Sequence, residues 1–309
     1  MTETPDFTPS GLSSFPENFH AGFAAIVGRP NVGKSTLINA LVGQKVAITS
    51  IRPETTRHNI RGIVQSEAGQ IILVDTPGYH KPRTLLGKRL NDMVREALAE
   101  VDLILFCTPA DQKIGPGDDF IVRELKRVRA PKVAVVTKVD TVSKNRLLEH
   151  VVAVDQLADW AAVVPVSAKT KNNTDHLVEV LLEQLPLSPP LYASETITEE
   201  DDETLIAEFV REAALEGVRD ELPHSIAVQV EEIIRRPGKK PDLYASIYVE
   251  RPSQKAIIIG KSGERLKTVG MRARRNIERL LGEPVFLHLH VKVAKNWQTD
   301  PKMLQRFGF

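Results

Sequence analysis

With 309 residues, 42% hydrophobic and 5% aromatic, the chain has enough apolar mass for two ordinary globular domains. No run approaches ~20 uninterrupted apolar residues, which argues against a transmembrane helix. The formal charge of +1 conceals an asymmetry: Glu199–Glu232 holds 12 acidic against 2 basic residues, and Arg235–Phe309 holds 17 basic against 6 acidic ones. A basic end of this kind suits an anionic partner, although a charge run is more often a solvated face.

Residues 1–19 are rich in Thr, Ser and Pro and lack the basic start and apolar run of a signal peptide, so they read as a disordered leader. Phe23–Val27 is an apolar strand entering a turn at Gly28, and Thr36–Val42 has helical composition with Gly43 as a stop. Ile60–Val64 and Ile71–Val74 form a predicted hairpin around Glu67-Ala68-Gly69. Leu103–Cys107, Val133–Val136 and Ala161–Val166 are further strands, with helices over Leu85–Ala99, Asp118–Arg129, Lys144–Asp159 and Asp175–Gln184. Strands alternating with helices give an α/β domain, a mostly parallel sheet covered on both faces, over residues 20–186. The lone Cys107 sits in an apolar run and reads as a core residue.

Pro186, Pro189, Pro190 and the acidic patch from Glu199 to Glu203 mark residues 187–203 as a linker. The order then changes to helix (Leu205–Glu221), strand (Ile226–Ile234), strand (Leu243–Val249), helices around Leu266 and over Ala273–Leu281, and strand (Val285–Val293). This describes an α+β domain over residues 204–300, followed by a tail over 301–309. His288 and His290 alternate along the last strand and lack the spacing of metal ligands.

Gly28-Arg29-Pro30-Asn31-Val32-Gly33-Lys34-Ser35 matches G-x-x-x-x-G-K-[ST] between a predicted strand and helix, as a phosphate-binding loop requires. Its backbone N–H groups would curl around phosphate oxygens, helped by the helix dipole, with Lys34 neutralising the β- and γ-phosphates and the Ser35 hydroxyl binding Mg²⁺. Thr36 follows directly. Asp75-Thr76-Pro77-Gly78 closes the strand Ile71–Val74, placing a carboxylate to meet Mg²⁺ through water and the Gly78 N–H to meet the γ-phosphate. Thr137-Lys138-Val139-Asp140 follows Val133–Val136, and Asp140 can accept from guanine N1–H and its exocyclic amine, which adenine cannot satisfy. Ser167-Ala168-Lys169, after the next strand, would offer N–H groups to guanine O6.

In the second domain, Ile257-Ile258-Ile259 feeds the G-x-x-G loop Gly260-Lys261-Ser262-Gly263, with a helix from Glu264. Such a loop clamps the backbone of single-stranded RNA in KH domains. Arg265, Lys267, Arg272, Arg274 and Arg275 follow within 15 residues of Gly260 and are candidate RNA contacts; Arg279, beside Leu280 and Leu281, reads as a solvated face. Ile257–Ile259 is expected in the core close to the loop.

These elements look like the G motifs of the translational-GTPase class, and together with the second domain the chain resembles the Era family of bacterial GTPases over nearly its whole length after the leader. The resemblance implies a Ras-like P-loop GTPase domain followed by a prokaryotic-type (type II) KH domain. It implies GTP hydrolysis with Mg²⁺, catalytic roles for Lys34, Thr56, Asp75 and Gly78, and binding to small-subunit ribosomal RNA near its 3′ end during 30S assembly. A cytoplasmic monomer is expected; a membrane-associated switch, peripheral on the inner face of the membrane, and a partner of an RNA-modifying enzyme are the alternatives. Pro53–Arg57 resembles switch I, in which Thr56, rather than the adjacent Thr55, would close on Mg²⁺; Tyr79–Gly87 would be switch II. Asn31 occupies the place where related GTPases hold K⁺, or simply suits a turn. Two departures stand out: Thr137 replaces the usual Asn, which implies weaker affinity, and Tyr79 stands where Ras-like proteins carry a water-positioning Gln, which implies slow intrinsic hydrolysis.

Overall fold

The computed structural model describes residues 16–49, 56, 59–79, 84–218 and 222–308. The leader before Pro16, all of switch I except Thr56, and His80–Arg83 of switch II lie outside the described residues. Strand β1 (His20–Val27) is apolar at nearly every position because both of its faces are covered. It pairs in parallel with β3 (Gly69–Asp75) and β4 (Leu103–Pro109), while β5 (Lys132–Thr137) and β6 (Ala162–Pro165) extend the parallel run. Antiparallel β2 (Ile60–Ser66) closes the other edge, giving the order β2-β3-β1-β4-β5-β6.

Among the described residues, five helices cover this sheet: α1 (Lys34–Val42), α2 (Leu85–Ala99), α3 (Pro116–Leu125), α4 (Lys144–Asp155) and α5 (Thr174–Gln184). Leu37, Ile38, Leu177 and Leu181 of α1 and α5 bury one face, and Val94, Ile121 and Val154 of α2, α3 and α4 bury the other. Local signals set the helix ends. Gly33 and Gly43 bound α1 at φ 102° and 79°, the left-handed region that glycine tolerates. Thr84 caps α2 by accepting the Gly87 N–H at 3.0 Å, and Pro116 starts α3 at a position that needs no donor.

The second domain comprises α6 (Asp202–Leu215), the short α7 (Leu222–Ser225), β7 (Ala227–Ile234), β8 (Asp242–Val249), α8 (Pro252–Ile259), α9 (Glu264–Leu281), β9 (Phe286–Val293) and α10 (Pro301–Arg306). Strand β8 pairs antiparallel with β7 and parallel with β9. The helices pack on this sheet through Leu205, Phe209, Val269 and Ile277. Two differences from the sequence reading appear here. The helices expected around Leu266 and over Ala273–Leu281 are one 18-residue rod, which Gly270 does not interrupt. The run Ile257–Ile259 is helical, started by Pro252 and stopped by Gly260, so only Ile258 is fully buried and Ile257 stands 51% exposed.

Residues 187–203 are largely irregular, as their prolines demand, but they are no free tether. Buried Gln70 accepts the Leu191 and Tyr192 N–H groups at 2.8 and 3.0 Å, and the Ile63 N–H donates to the Ile197 carbonyl at 2.9 Å. Helix α6 already begins at Asp202, whose predecessor Asp201 caps it by accepting the Thr204 N–H at 2.7 Å. The stretch from 301 is also structured: Leu304 and Phe307 join Trp297 in a core shared with Leu86 and Leu90 of α2, across the domain boundary. Truncating Leu304 to Ala should therefore cost about 2–5 kcal/mol of unfolding free energy in the whole chain, measured by denaturant titration. A loss under about 1 kcal/mol would mean that the tail is not part of a core.

Candidate functional site

Strands β1, β3, β5 and β6 bring their carboxyl ends to one edge of the sheet, where a parallel α/β domain characteristically binds its ligand. The loop Gly28–Gly33 turns tightly there. A Cβ on Gly28 would lie 2.6 Å from the Cys107 carbonyl oxygen, so only glycine fits, and Asn31 sits at φ 64°. Lys34 is buried at the loop's centre, its Nζ donating to the Gly28 and Arg29 carbonyls at 3.2 and 3.3 Å. Burial holds its amine below the usual lysine range, and the Asp75 charge partly restores it. Val32 is buried and Thr36 is exposed at the rim.

Ser35, Thr56 and Asp75 converge. Ser35 Oγ donates to Asp75 Oδ2 at 2.7 Å, and Thr56 Oγ1 lies 3.1 Å from both. Asp75 is fully buried, and its Oδ1 has no hydrogen-bond partner among the described residues. Desolvation pushes its carboxyl up to about 6, against the pull of Lys34 and the two hydroxyls. Three hard oxygen donors with an unsatisfied carboxylate oxygen suit a small divalent cation such as Mg²⁺. Gly78 packs against Pro30, where a Cβ would come within 2.8 Å of the proline ring. Tyr79 turns away from this cluster: it is 1% exposed, its ring lies 5.3 Å from Phe120, and its hydroxyl donates to Glu124 at 3.3 Å.

On the base-recognition side, Thr137 Oγ1 donates to the Val32 carbonyl at 2.5 Å, tying β5 to the phosphate loop. Lys138 adopts φ 57° and Asp140 is exposed, its Oδ1 accepting from buried Ser167 Oγ at 2.6 Å. Ala168 packs partly against the first core and Lys169 is exposed.

The G-x-x-G loop joins α8 to α9 with Gly260, Ser262 and Gly263 all at positive φ, and with Lys261 and Ser262 exposed. The basic residues after it separate by helical face. Val269, Ala273 and Ile277 bury the inner face of α9. Arg265 is half-buried: its Nη2 donates to the Ala214 and Glu216 carbonyls at 3.1 and 2.8 Å, capping the end of α6. Lys267 and Arg274 are exposed, the latter 3.7 Å from Glu278. Arg272 pairs with Glu216, and with Arg275 and Arg279 it lines a cleft of about 1030 Å³ whose opposite wall is the phosphate loop. Arg279 is exposed, as expected of a solvated face, and the face it lies on is the one turned toward this cleft.

Sequence reasoning missed Lys45, Glu212 and Asn276, which line the same cleft. Glu212 of α6 pairs with Lys45, accepts the Thr49 N–H at 2.8 Å and accepts from Asn276 at 3.4 Å. These contacts span up to 167 residues and carry no local signal.

Models of two families match the chain: a 50S ribosome-binding GTPase over residues 23–138 and a KH domain over residues 221–298. GTPase Era of Streptomyces coelicolor is 61% identical over 300 residues, covering 94% of this chain and 95% of that protein. Its counterpart in Mycobacterium leprae is 58% identical, covering 94% and 99%. A variant of Aquifex aeolicus Era bound to GDP.AlF4- superposes with a TM-score of 0.90 at 38% identity, covering 94% of this chain and 99% of that one. An Era complex with MgGDPNP and nucleotides 1506–1542 of 16S ribosomal RNA gives 0.91 at the same identity and coverage. This chain belongs to the Era family: it is a GTPase built from a Ras-like domain and a KH domain.

Proposed function

We propose that this GTPase binds small-subunit ribosomal RNA near its 3′ end through its KH domain and assists assembly of the 30S subunit in the cytoplasm. The observation that carries this reading is the loop Gly260–Gly263, which exposes Lys261 and Ser262 beside half-exposed Ile257. A cation at a helix start takes phosphate, and an apolar neighbour takes a base, so the pair suits single-stranded RNA. The Era relative whose structure holds 16S ribosomal RNA supports the choice of RNA.

In the nucleotide site, Lys34 and the loop N–H groups bind the phosphates, and Asp140, Ala168 and Lys169 surround the guanine. Ser35, Thr56 and Asp75 hold Mg²⁺, which neutralises charge developing on the β- and γ-phosphate oxygens. Tyr79 lies in the core, so no side chain at its position aims a water at the γ-phosphate, and intrinsic hydrolysis is slow. Asn31 would help to hold a K⁺ ion, which would supply further positive charge beside the phosphates. The GTP and GDP states must differ in RNA affinity for hydrolysis to release RNA.

Three measurements test these assignments. Asp140→Asn keeps an acceptor for N1–H and gains a donor for a 2-oxo group, so preference should move from GTP toward xanthosine triphosphate by about 10²-fold or more; unchanged preference removes Asp140 from base recognition. Replacing both Lys261 and Ser262 with Asp should abolish binding of a short single strand from the 16S 3′ end while GTP turnover without RNA persists. Retained binding would reject the KH loop as the RNA site. Turnover should fall several-fold when K⁺ is replaced by Na⁺, and Asn31→Ala should remove that difference; equal rates in both salts would reject the K⁺ assignment.

A further inference from the structure

Helix α9 carries the RNA loop at its N-terminal end and a row of arginines along one flank. Arg272, Arg275 and Arg279 follow each other at spacings of three and four residues, which places them on one face. That face is a wall of the cleft that also contains Lys34, Ser35 and Thr56. The carboxylates on the α6 side of the cleft are already engaged, Glu216 with Arg272 and Glu212 with Lys45 and Thr49. Arg275 and Arg279 form no ion pair with any described residue. Asn276, between them, bonds Glu212 of α6, which in turn holds Lys45 and the Thr49 N–H, so this stretch of α9 is tied through α6 to the first domain. Two uncompensated guanidinium groups opposite a phosphate-binding loop repel the cations already there, and an anion between the walls relieves that repulsion. The densest negative charge that a phosphate-binding loop brings to such a cleft is the polyphosphate of a nucleotide.

We propose that Arg275 and Arg279 are nucleotide-binding residues, through which the KH domain contacts phosphate oxygens of the guanine nucleotide seated on the first domain. Their assignment therefore differs from that of Lys261 and Ser262, although all four belong to one stretch of the KH domain. Because loop and arginines share one rigid helix, RNA that shifts α9 changes nucleotide affinity, and the nucleotide changes RNA affinity by the same factor.

The test measures dissociation constants of GDP and of a non-hydrolysable GTP analogue for the full chain and for the double variant R275Q/R279Q. At about 50 mM KCl the double variant should bind nucleotide about threefold to tenfold more weakly, and the difference should shrink at about 500 mM KCl, where contacts between solvent-accessible charges are screened. The lysine pair R275K/R279K should recover most of the affinity. Binding of the single-stranded 16S 3′ RNA in the absence of nucleotide should stay within about twofold. Unchanged nucleotide affinity with lost RNA binding would assign both arginines to the RNA site and overturn the proposal. A loss that neither lysine nor salt affects would reduce them to packing residues and overturn it equally.

Discussion

Strands running in parallel deliver their carboxyl ends to a common edge, and the nucleotide site depends on that constraint. Strand β1 ends at the phosphate loop, β3 at Asp75, β5 at Thr137 and β6 just short of Ser167. Residues more than a hundred positions apart thereby meet without any affinity for each other. The bond from Thr137 Oγ1 to the Val32 carbonyl shows how the edge is locked, because it fixes the spacing between base recognition and phosphate binding. A core substitution between α1 and β1 would alter that spacing without touching the ligand.

At the centre of this edge lie a lysine and a carboxylate removed from water. Burial opposes the charge on both Lys34 and Asp75, and their mutual attraction offsets only part of the cost. A buried pair of this kind is weak evidence of stability. It is better explained as preorganisation, with donors and acceptors held where phosphate and metal charge will arrive, so that little reorganisation remains at the moment of reaction. Cys107 shares the same environment without a function to match: burial raises its thiol to about 12, which leaves it an inert core group.

The first domain was largely legible in the sequence because its signals are local. Gly33, Gly43 and Pro116 fix helix ends, and the phosphate loop occupies contiguous residues. Thr56 meets Asp75 at 3.1 Å, while the adjacent Thr55, alike in composition, lies outside the described residues. What escaped was everything set by packing between distant segments. Arg265, Arg274 and Arg275 look alike in sequence, yet one caps α6, one is exposed beside Glu278 and one lines the nucleotide cleft. Helical phase sorts them only once the buried face of α9 is known. The acidic segment had a similar ambiguity: Glu199, Glu212 and Glu216 pair with Arg61, Lys45 and Arg272, so part of the charge asymmetry is compensated inside the molecule.

The shared apolar contacts bear on how the two modules can exist apart. Ile48 of the first domain packs in the core of the second, and Leu86 and Leu90 of α2 are covered by Trp297, Leu304 and Phe307. A fragment ending near Pro186 would keep its sheet and phosphate loop but would present Ile48, Leu86 and Leu90 to water. Such a patch favours self-association, so the excised GTPase domain is expected to be prone to aggregation despite its complete fold. The chain is modular in its motifs but continuous in its solubility.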